Sequence, residues 1–275
     1  MMTVPDKIAN RIREGLKRFQ PIILNNKAKD INESDTVLLI RDMLSEILGF
    51  DKYNDITTEH EIHGTYCDIA LKIETKLTLL IEVKAIGITL KKEHVRQAVD
   101  YAAHQGLQWV VLTNGIIWKI FKVTLANSVQ QILVGEINLL EAKSKSQEDI
   151  EKIFVLTKEA ISKCSLDEFF NQKQATDKFI IGNLICADTI LYAIRKELKL
   201  IFPDIKVQMD EIKSVLLNEV IKRELLEGED SENAQKKIKR VYNRRDRVSN
   251  SNSTTPVETG ITNNVSTPSS ENPTV

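Results

Sequence analysis

Tyr66-Cys67-Asp68-Ile69-Ala70-Leu71 and, after a short turn, Leu79-Leu80-Ile81-Glu82-Val83-Lys84-Ala85 are the stretch on which the reading of this chain rests. Aliphatic and β-branched residues recur at alternate positions in both halves, the pattern of two strands. In the first, Cys67, Ile69, Leu71 and Ile73 share a face, which leaves Asp68 on the other. In the second, Leu79, Ile81 and Val83 share a face, so Glu82 and Lys84 project together from the opposite one. Paired as a hairpin, the two strands bring two carboxylates and one ammonium onto a single face. Carboxylates suit hard divalent cations such as Mg²⁺, and an adjacent Lys can orient water or stabilise charge on a phosphate. The plain alternative is a solvated sheet face carrying charge pairs, so the surrounding chain must decide.

Upstream, a helix is expected from residue 5 to 19, stopped by Pro21, and another from 33 to 48, capped by Asn32 and ended at Gly49. Glu33 precedes the apolar stripe Val37, Ile40, Leu44 and Ile47 on the second helix. It reads either as a first-turn charge against the helix dipole or as a third acid of the site. Strands follow at 57–63, 68–73 and 76–84, a helix at 91–104, then strands at 109–112 and 117–123 and a weaker one at 130–137. A helix between the third and fourth strands implies a parallel crossover. The predicted fold is therefore an α/β core of order αβββαβ, a mixed sheet flanked by helices.

That order of acid, turn, Glu-x-Lys and helix resembles the PD-(D/E)XK nuclease superfamily, and most of all the N-terminal endonuclease domain of type I restriction R subunits. Three further features carry the closer resemblance. Gln97-Ala98-Val99-Asp100-Tyr101 supplies a Gln-x-x-x-Tyr motif on the helix after the Glu-x-Lys strand. Leu112-Thr113-Asn114-Gly115, followed by Trp118, is similar to the family's turn after the next strand, and Glu33 opens a helix upstream. The resemblance covers residues 31–140, with Cys67 standing where Pro often precedes the Asp.

The resemblance implies a Mg²⁺-dependent endodeoxyribonuclease, with Mn²⁺ as a substitute. Asp68 and Glu82 are the expected metal ligands, with the Val83 carbonyl and Glu33 as further candidates. Lys84 is expected to orient the attacking water, and Gln97 and Tyr101 to position DNA or the site. DNA is the expected partner, together with other subunits of a restriction system. None of the ten glycines is followed by Lys, so a Gly-Lys-Ser/Thr phosphate loop is missing, and a stand-alone domain without an ATP-driven motor is expected. Asp167-Glu168-Phe169-Phe170 resembles a helicase acidic box only superficially. A non-catalytic DNA- or protein-interaction module that keeps the fold is the alternative from a different class, and no residue separates DNA from RNA as substrate.

The rest of the chain bounds these readings. A net charge of −1 argues against a protein that coats DNA, although a local basic groove can flank an acidic metal site. Cys67, Cys164 and Cys186 are too few and too scattered for a disulfide framework, which fits a reducing cytosol. The apolar run 179–194 is broken by Asn183 and Asp188 and is shorter than the ~20 residues of a bilayer span. The N-terminus is charged and amphipathic, without the apolar core of a signal peptide. His60 and His63 lie an odd number of positions apart on a strand, so they face opposite ways and make a poor zinc pair. Glu59 and Glu61 are same-face neighbours that read as exposed strand charges, or one of them as support for the metal site. Trp109 and Trp118 read as packing residues. Gln97 and Tyr101, with His94 and His104, form a polar stripe separate from the packing stripe Val95, Ala98, Val99 and Ala102. Lys236, Lys237, Lys239, Arg240, Arg244, Arg245 and Arg247 form a basic run that reads equally as a phosphate-binding surface and as a solvated helix end. The expected division is an N-terminal helical segment at 1–30, the nuclease-like domain at 31–142, a helical domain at 147–247 with segments 147–163, 176–200 and 208–226, and a Ser/Thr/Asn/Pro-rich disordered tail at 248–275.

Overall fold

A computed structural model describes residues 3–62, 65–125 and 129–251, with the side chains of 59–62, 65–66, 125 and 245–251 left out. The described residues form two compact units, one ending at Ala175 and the other starting at Thr176. The first opens with helices α1 (Asp6–Ala28) and α2 (Glu33–Glu46), then strands β1 (Ile56–Ile62), β2 (Thr65–Ile73) and β3 (Lys76–Val83). A 3₁₀ turn at Lys92–Val95 leads into α3 (Arg96–His104). Strands β4 (Trp109–Thr113), β5 (Ile117–Leu125) and β6 (Val129–Asn138) follow, then helices α4 (Gln147–Phe154), α5 (Lys158–Ser162) and α6 (Ser165–Ala175).

Among the described residues six strands form one mixed sheet in sequence order, and of these only β3 and β4 pair parallel, Leu80 with Val110 through Val83 with Thr113, as the intervening α3 predicts. The other neighbours pair antiparallel. Both faces are covered, which explains the unbroken apolar runs of the central pair. Ile69, Leu71, Leu79, Ile81, Val83, Val111 and Trp118 pack with α1, α2 and α4 in one core. Ala70, Leu80, Val110 and Leu112 pack on the other side under Val95, Ala98, Val99 and Ala102. Both Trp109 and Trp118 are buried, so they serve packing.

Local chemistry explains the helix boundaries. Asn32 caps α2, its side chain accepting from the Asp35 N–H at 2.9 Å. Past its end, Gly49 takes the left-handed conformation (φ +83°) that turns the chain away, its N–H reaching the Ser45 carbonyl while the Phe50 N–H reaches that of Leu44. The expected stop at Pro21 does not occur, because α1 runs through it to Ala28. Pro21 is exposed, so water can serve the carbonyl its ring leaves free, while buried Phe19 and Ile23 hold both sides of it on the core.

Two details set the β2–β3 hairpin. Glu74 and Thr75, at φ +49° and +69°, form its two-residue turn between the paired Ile73 and Lys76. The register then shifts: Lys72 faces Leu77 but Leu71 faces Leu79, so Thr78 is an extra residue, a bulge on β3.

The first unit extends past 142. Ile150, Ile153, Phe154, Leu156, Ile161 and Leu166, from α4 to α6, lie in the same core as the sheet. Asp167 of the Asp-Glu-Phe-Phe run pairs with Lys122 at 2.6 Å, and the Lys122 ammonium lies over the rings of Trp109 and Phe170. That run docks α6 onto β5.

The second unit contains α7 (Lys178–Ile185), α8 (Asp188–Ile201), α9 (Met209–Val215), a π-helical turn at Leu216–Val220, a 3₁₀ turn at Arg223–Leu225 and α10 (Glu229–Ser251). Asp177 caps α7 by accepting from the Phe179 and Ile180 N–H groups, and α8 ends just before Pro203. Helix thus continues through 248–251; the remainder of the expected tail, 252–275, lies outside the described residues. Among the described residues no helix is long and apolar enough to cross a membrane.

Candidate active site

β3 carries the site out of the core. Leu79 to Val83 are all buried, and the strand ends as the chain reaches Lys84. Alternation turns Val83 into the α1/α2 core and puts Glu82 on the α3 side, in line with Leu80. Lys84 lies at the open end of the strand, its side chain 21% exposed. Its Nζ donates to Glu82 Oε1 at 2.8 Å and stands 3.5 Å from both carboxylate oxygens of Glu33. Glu33 reaches it from the first turn of α2 and is half exposed, on the rim of the helix's buried arc of Thr36, Leu39, Ile40, Met43 and Leu44.

Asp68 joins them through the backbone. The β2–β3 ladder ends at Ile69–Ile81, and the Val83 N–H donates to Asp68 Oδ2 at 2.6 Å. The carboxylate thus takes the place of the next rung. The expected alternation breaks there: Cys67 packs in the α3 core rather than with Ile69 and Leu71.

Two carboxylates therefore contact one ammonium while the charge of a third, Asp68, acts on the pair, and the electrostatics register the imbalance. Burial and then the Asp68 charge raise the Glu82 pKa, outweighing the hydrogen bond and charge of Lys84. Burial opposes the Lys84 charge, but the Glu82 bond and the charges of Glu82, Glu33 and Asp68 raise its pKa above the usual lysine value. Burial, then the Glu82 charge, pushes the Cys67 thiol up to about 12, which makes it inert as a nucleophile. Glu82 and Glu33 meet at Lys84. Among the described residues no three His, Cys, Asp or Glu side chains converge on a common metal position. The all-oxygen donor set and the excess negative charge nonetheless fit a hard divalent cation. The side chains of Glu59, His60, Glu61 and His63 lie outside the described residues, and with them the acid-support and zinc readings.

The polar stripe on α3 is narrower than expected. Gln97 is exposed, but Tyr101 is 6% exposed and packs with Ala98, Val99 and Ala102. Among the described residues its buried hydroxyl has no hydrogen-bond partner, and burial, then the nearby Cys67, raises its pKa. Residues four apart share a face, yet the buried arc of α3 is broad enough to take in Tyr101 as well. The His94 ring accepts from the Lys91 N–H at 3.3 Å, and the His104 ring meets the Asp100 carbonyl at 2.7 Å, so both rings serve local backbone. Lys236 to Arg244 lie exposed on α10 of the second unit, so the structure leaves both readings of that run standing.

The sequence reading took one residue only as part of a turn. Asn114, in the turn between β4 and β5, reaches the segment that follows Lys84. The Asn-Gly pair marked a turn, but nothing in the sequence signalled that reach.

Known proteins resemble this chain over part of its length. Residues 40–135 match the family described as the type I restriction enzyme R protein N terminus. That range starts within α2, after Glu33, and runs into β6. Among solved structures, the type IIG restriction endonuclease BpuSI is similar at 20% identity over 56% of this chain, with a TM-score of 0.32. The similarity spans only 19% of that enzyme's chain. No curated protein matches significantly. Residues 40–135 are thus similar to the N terminus of type I restriction enzyme R proteins, a likeness that supports a restriction-enzyme nuclease-like domain there.

Proposed function

We propose that this domain is a Mg²⁺-dependent endodeoxyribonuclease acting in restriction or a related DNA defence, with Mn²⁺ able to substitute and no need for ATP. The reading rests above all on Glu82 and Glu33 held at Lys84, with Asp68 bound to the adjacent Val83 N–H, at the open end of β3. Asp68 and Glu82 would hold the cation, with the Val83 carbonyl and Glu33 as further oxygen donors. Bound there, the cation supplies water activation and leaving-group stabilisation.

The chain's own groups do the rest. Glu82 and Glu33 hold the Lys84 ammonium from two sides, so it is pre-oriented before DNA arrives. From that position it orients the attacking water and stabilises negative charge as it builds on the phosphate. Burial of Glu82 lowers the local dielectric and strengthens each of these interactions. Gln97, exposed on α3, engages the DNA, while Tyr101 supports that helix from beneath.

The test is Lys84→Ala in the full-length protein, assayed on plasmid DNA and on RNA. The variant should keep metal binding and most of its DNA affinity while cleavage falls on the order of a hundredfold or more. Equal cleavage by the variant would remove Lys84 from the mechanism. A wild type that cuts neither nucleic acid, with Mg²⁺ or Mn²⁺, would favour the non-catalytic interaction module.

A further inference from the structure

The turn between β4 and β5 makes contacts that the chemistry of Asp68, Glu82 and Lys84 leaves unused. Asn114 is buried and uses its full hydrogen-bonding capacity. Its Oδ1 accepts from the N–H groups of Ile116 at 3.1 Å and Ile117 at 2.8 Å, which closes the turn on itself. Its Nδ2 points away from the turn and donates to the carbonyls of Ile86 at 3.2 Å and Ile88 at 3.0 Å. Both carbonyls belong to the segment that leaves Lys84.

Neighbouring groups of the same hairpin hold the two ends of that segment. The Lys84 N–H donates to the Thr113 carbonyl at 2.9 Å, and the Lys119 ammonium donates to the Leu90 carbonyl at 3.0 Å. Asn114 supplies the middle of the clamp. The opposite side of the segment meets the approach to α2, where Gly87 packs so closely on Asp30 that a Cβ there would collide with the Asp30 carboxylate. Asp30 stands just ahead of Glu33. Residues 86–88 are thus wedged between the β4–β5 turn and the start of the helix that carries one of the two partners of Lys84.

We propose that Asn114 is a positioning residue that holds Lys84 between Glu82 and Glu33 by clamping residues 86–88. Only its catalytic consequence rests on the nuclease reading. An amide suits the task because one group offers two donors and an acceptor. Asp in its place would keep acceptors for the turn but set an anionic oxygen against the Ile86 and Ile88 carbonyls. Asn114→Asp therefore separates the clamp from the turn. Asn114→Ser does so more gently, keeping a turn acceptor on a side chain too short to reach the segment.

The experiment measures Lys84 acetylation by limiting acetic anhydride in the full chain, with Lys122 as internal control because Asp167 holds it elsewhere on the sheet. Both variants should raise the Lys84 rate about tenfold, the equivalent of one net hydrogen bond, with Lys122 unchanged. In cleavage assays kcat should fall by a similar factor with KM for DNA unchanged. An unaltered Lys84 rate in a folded variant, or equal rises at Lys84 and Lys122, would overturn the proposal. Failure of the wild type to cut any DNA would sink the nuclease reading, while the acetylation result would still decide the role of Asn114.

Discussion

Asp68 and Val83 are joined by a 2.6 Å hydrogen bond from the Val83 N–H to the Asp68 carboxylate, at the point where the β2–β3 ladder stops. The acid is therefore both a strand terminator and a member of the carboxylate cluster. Asp68→Asn and Asp68→Ala should divide the two roles. Each should weaken Mg²⁺ or Mn²⁺ binding at least tenfold in calorimetric titration. Only Asp68→Ala leaves the Val83 N–H without its acceptor, so it alone should lose on the order of 1–3 kcal/mol of stability. Unchanged metal affinity in both variants would take Asp68 off the ligand set.

Glu82 makes a prediction with the opposite sign to most acids. Its pKa is raised in the folded protein, chiefly by burial and then by Asp68. The folded state thus holds a proton that the unfolded state releases, and stability falls as pH rises from the ordinary carboxylate value through the raised one. Glu82→Gln removes that loss. Its melting temperature should exceed that of the wild type at neutral pH, with the gain vanishing as pH falls toward 4. A variant less stable than the wild type at pH 7 would show that the Lys84 bond outweighs the burial cost.

Gln97 is exposed, so its truncation should leave the fold alone. Gln97→Ala should raise KM for DNA several-fold with metal affinity unchanged. Loss of metal binding instead would place Gln97 at the cation rather than at the DNA.

The turn at Glu74-Thr75 holds two ordinary residues at positive φ, one of them β-branched. Asn-Gly is the pair such a turn favours. Replacing Glu74-Thr75 by Asn-Gly should stabilise the protein by about 1 kcal/mol, read as a higher denaturant midpoint at constant m-value. No gain would mean that the hairpin contributes little to the unfolding transition.

The extent of the core sets a boundary for truncation. A fragment of residues 1–175 should unfold in one cooperative transition. A fragment ending at 145 loses Ile150, Ile153, Phe154, Leu156, Ile161 and Leu166 from the core. At about 1.5–3 kcal/mol for each buried side chain, that loss matches or exceeds the whole stability of a typical domain. Cooperative melting of 1–145 would show that α4 to α6 are dispensable.

Much of the site was legible because a strand's period leaves little freedom. Once β3 is recognised, Glu82 and Lys84 must leave its apolar face, and the helix after it forces the parallel step to β4. Glu33 arrived through its position at a helix start. Tyr101 did not follow, since a spacing of four fixes a face but not the width of the buried arc. The helices after Gln147 show the same limit. Their periodicity announces amphipathic faces, yet it cannot say that Ile150 and Phe154 cover the sheet while the segments beyond 176 build another unit. Pro21 misled because a breaker's local effect was overridden by the packing of Phe19 and Ile23.

The bulge at Thr78 bears on how this hairpin tolerates changes of length. Leu77 and Leu79 contact opposite layers because Thr78 is spare between them, and from Leu79 onward the pairing is regular up to Ile69–Ile81. Removal of Thr78 would return β3 to plain alternation and leave Leu79 opposite Leu71, with Asp68 still beside Val83. The bulge is slack in the chain, placed where it isolates the chemistry from the turn. A residue gained or lost between Leu79 and Glu82 has no such slack: it would turn the Glu-x-Lys pair toward the apolar core and carry Lys84 away from Glu33. Insertions and deletions should therefore be accommodated near the tip of this hairpin and rejected a few residues further along it.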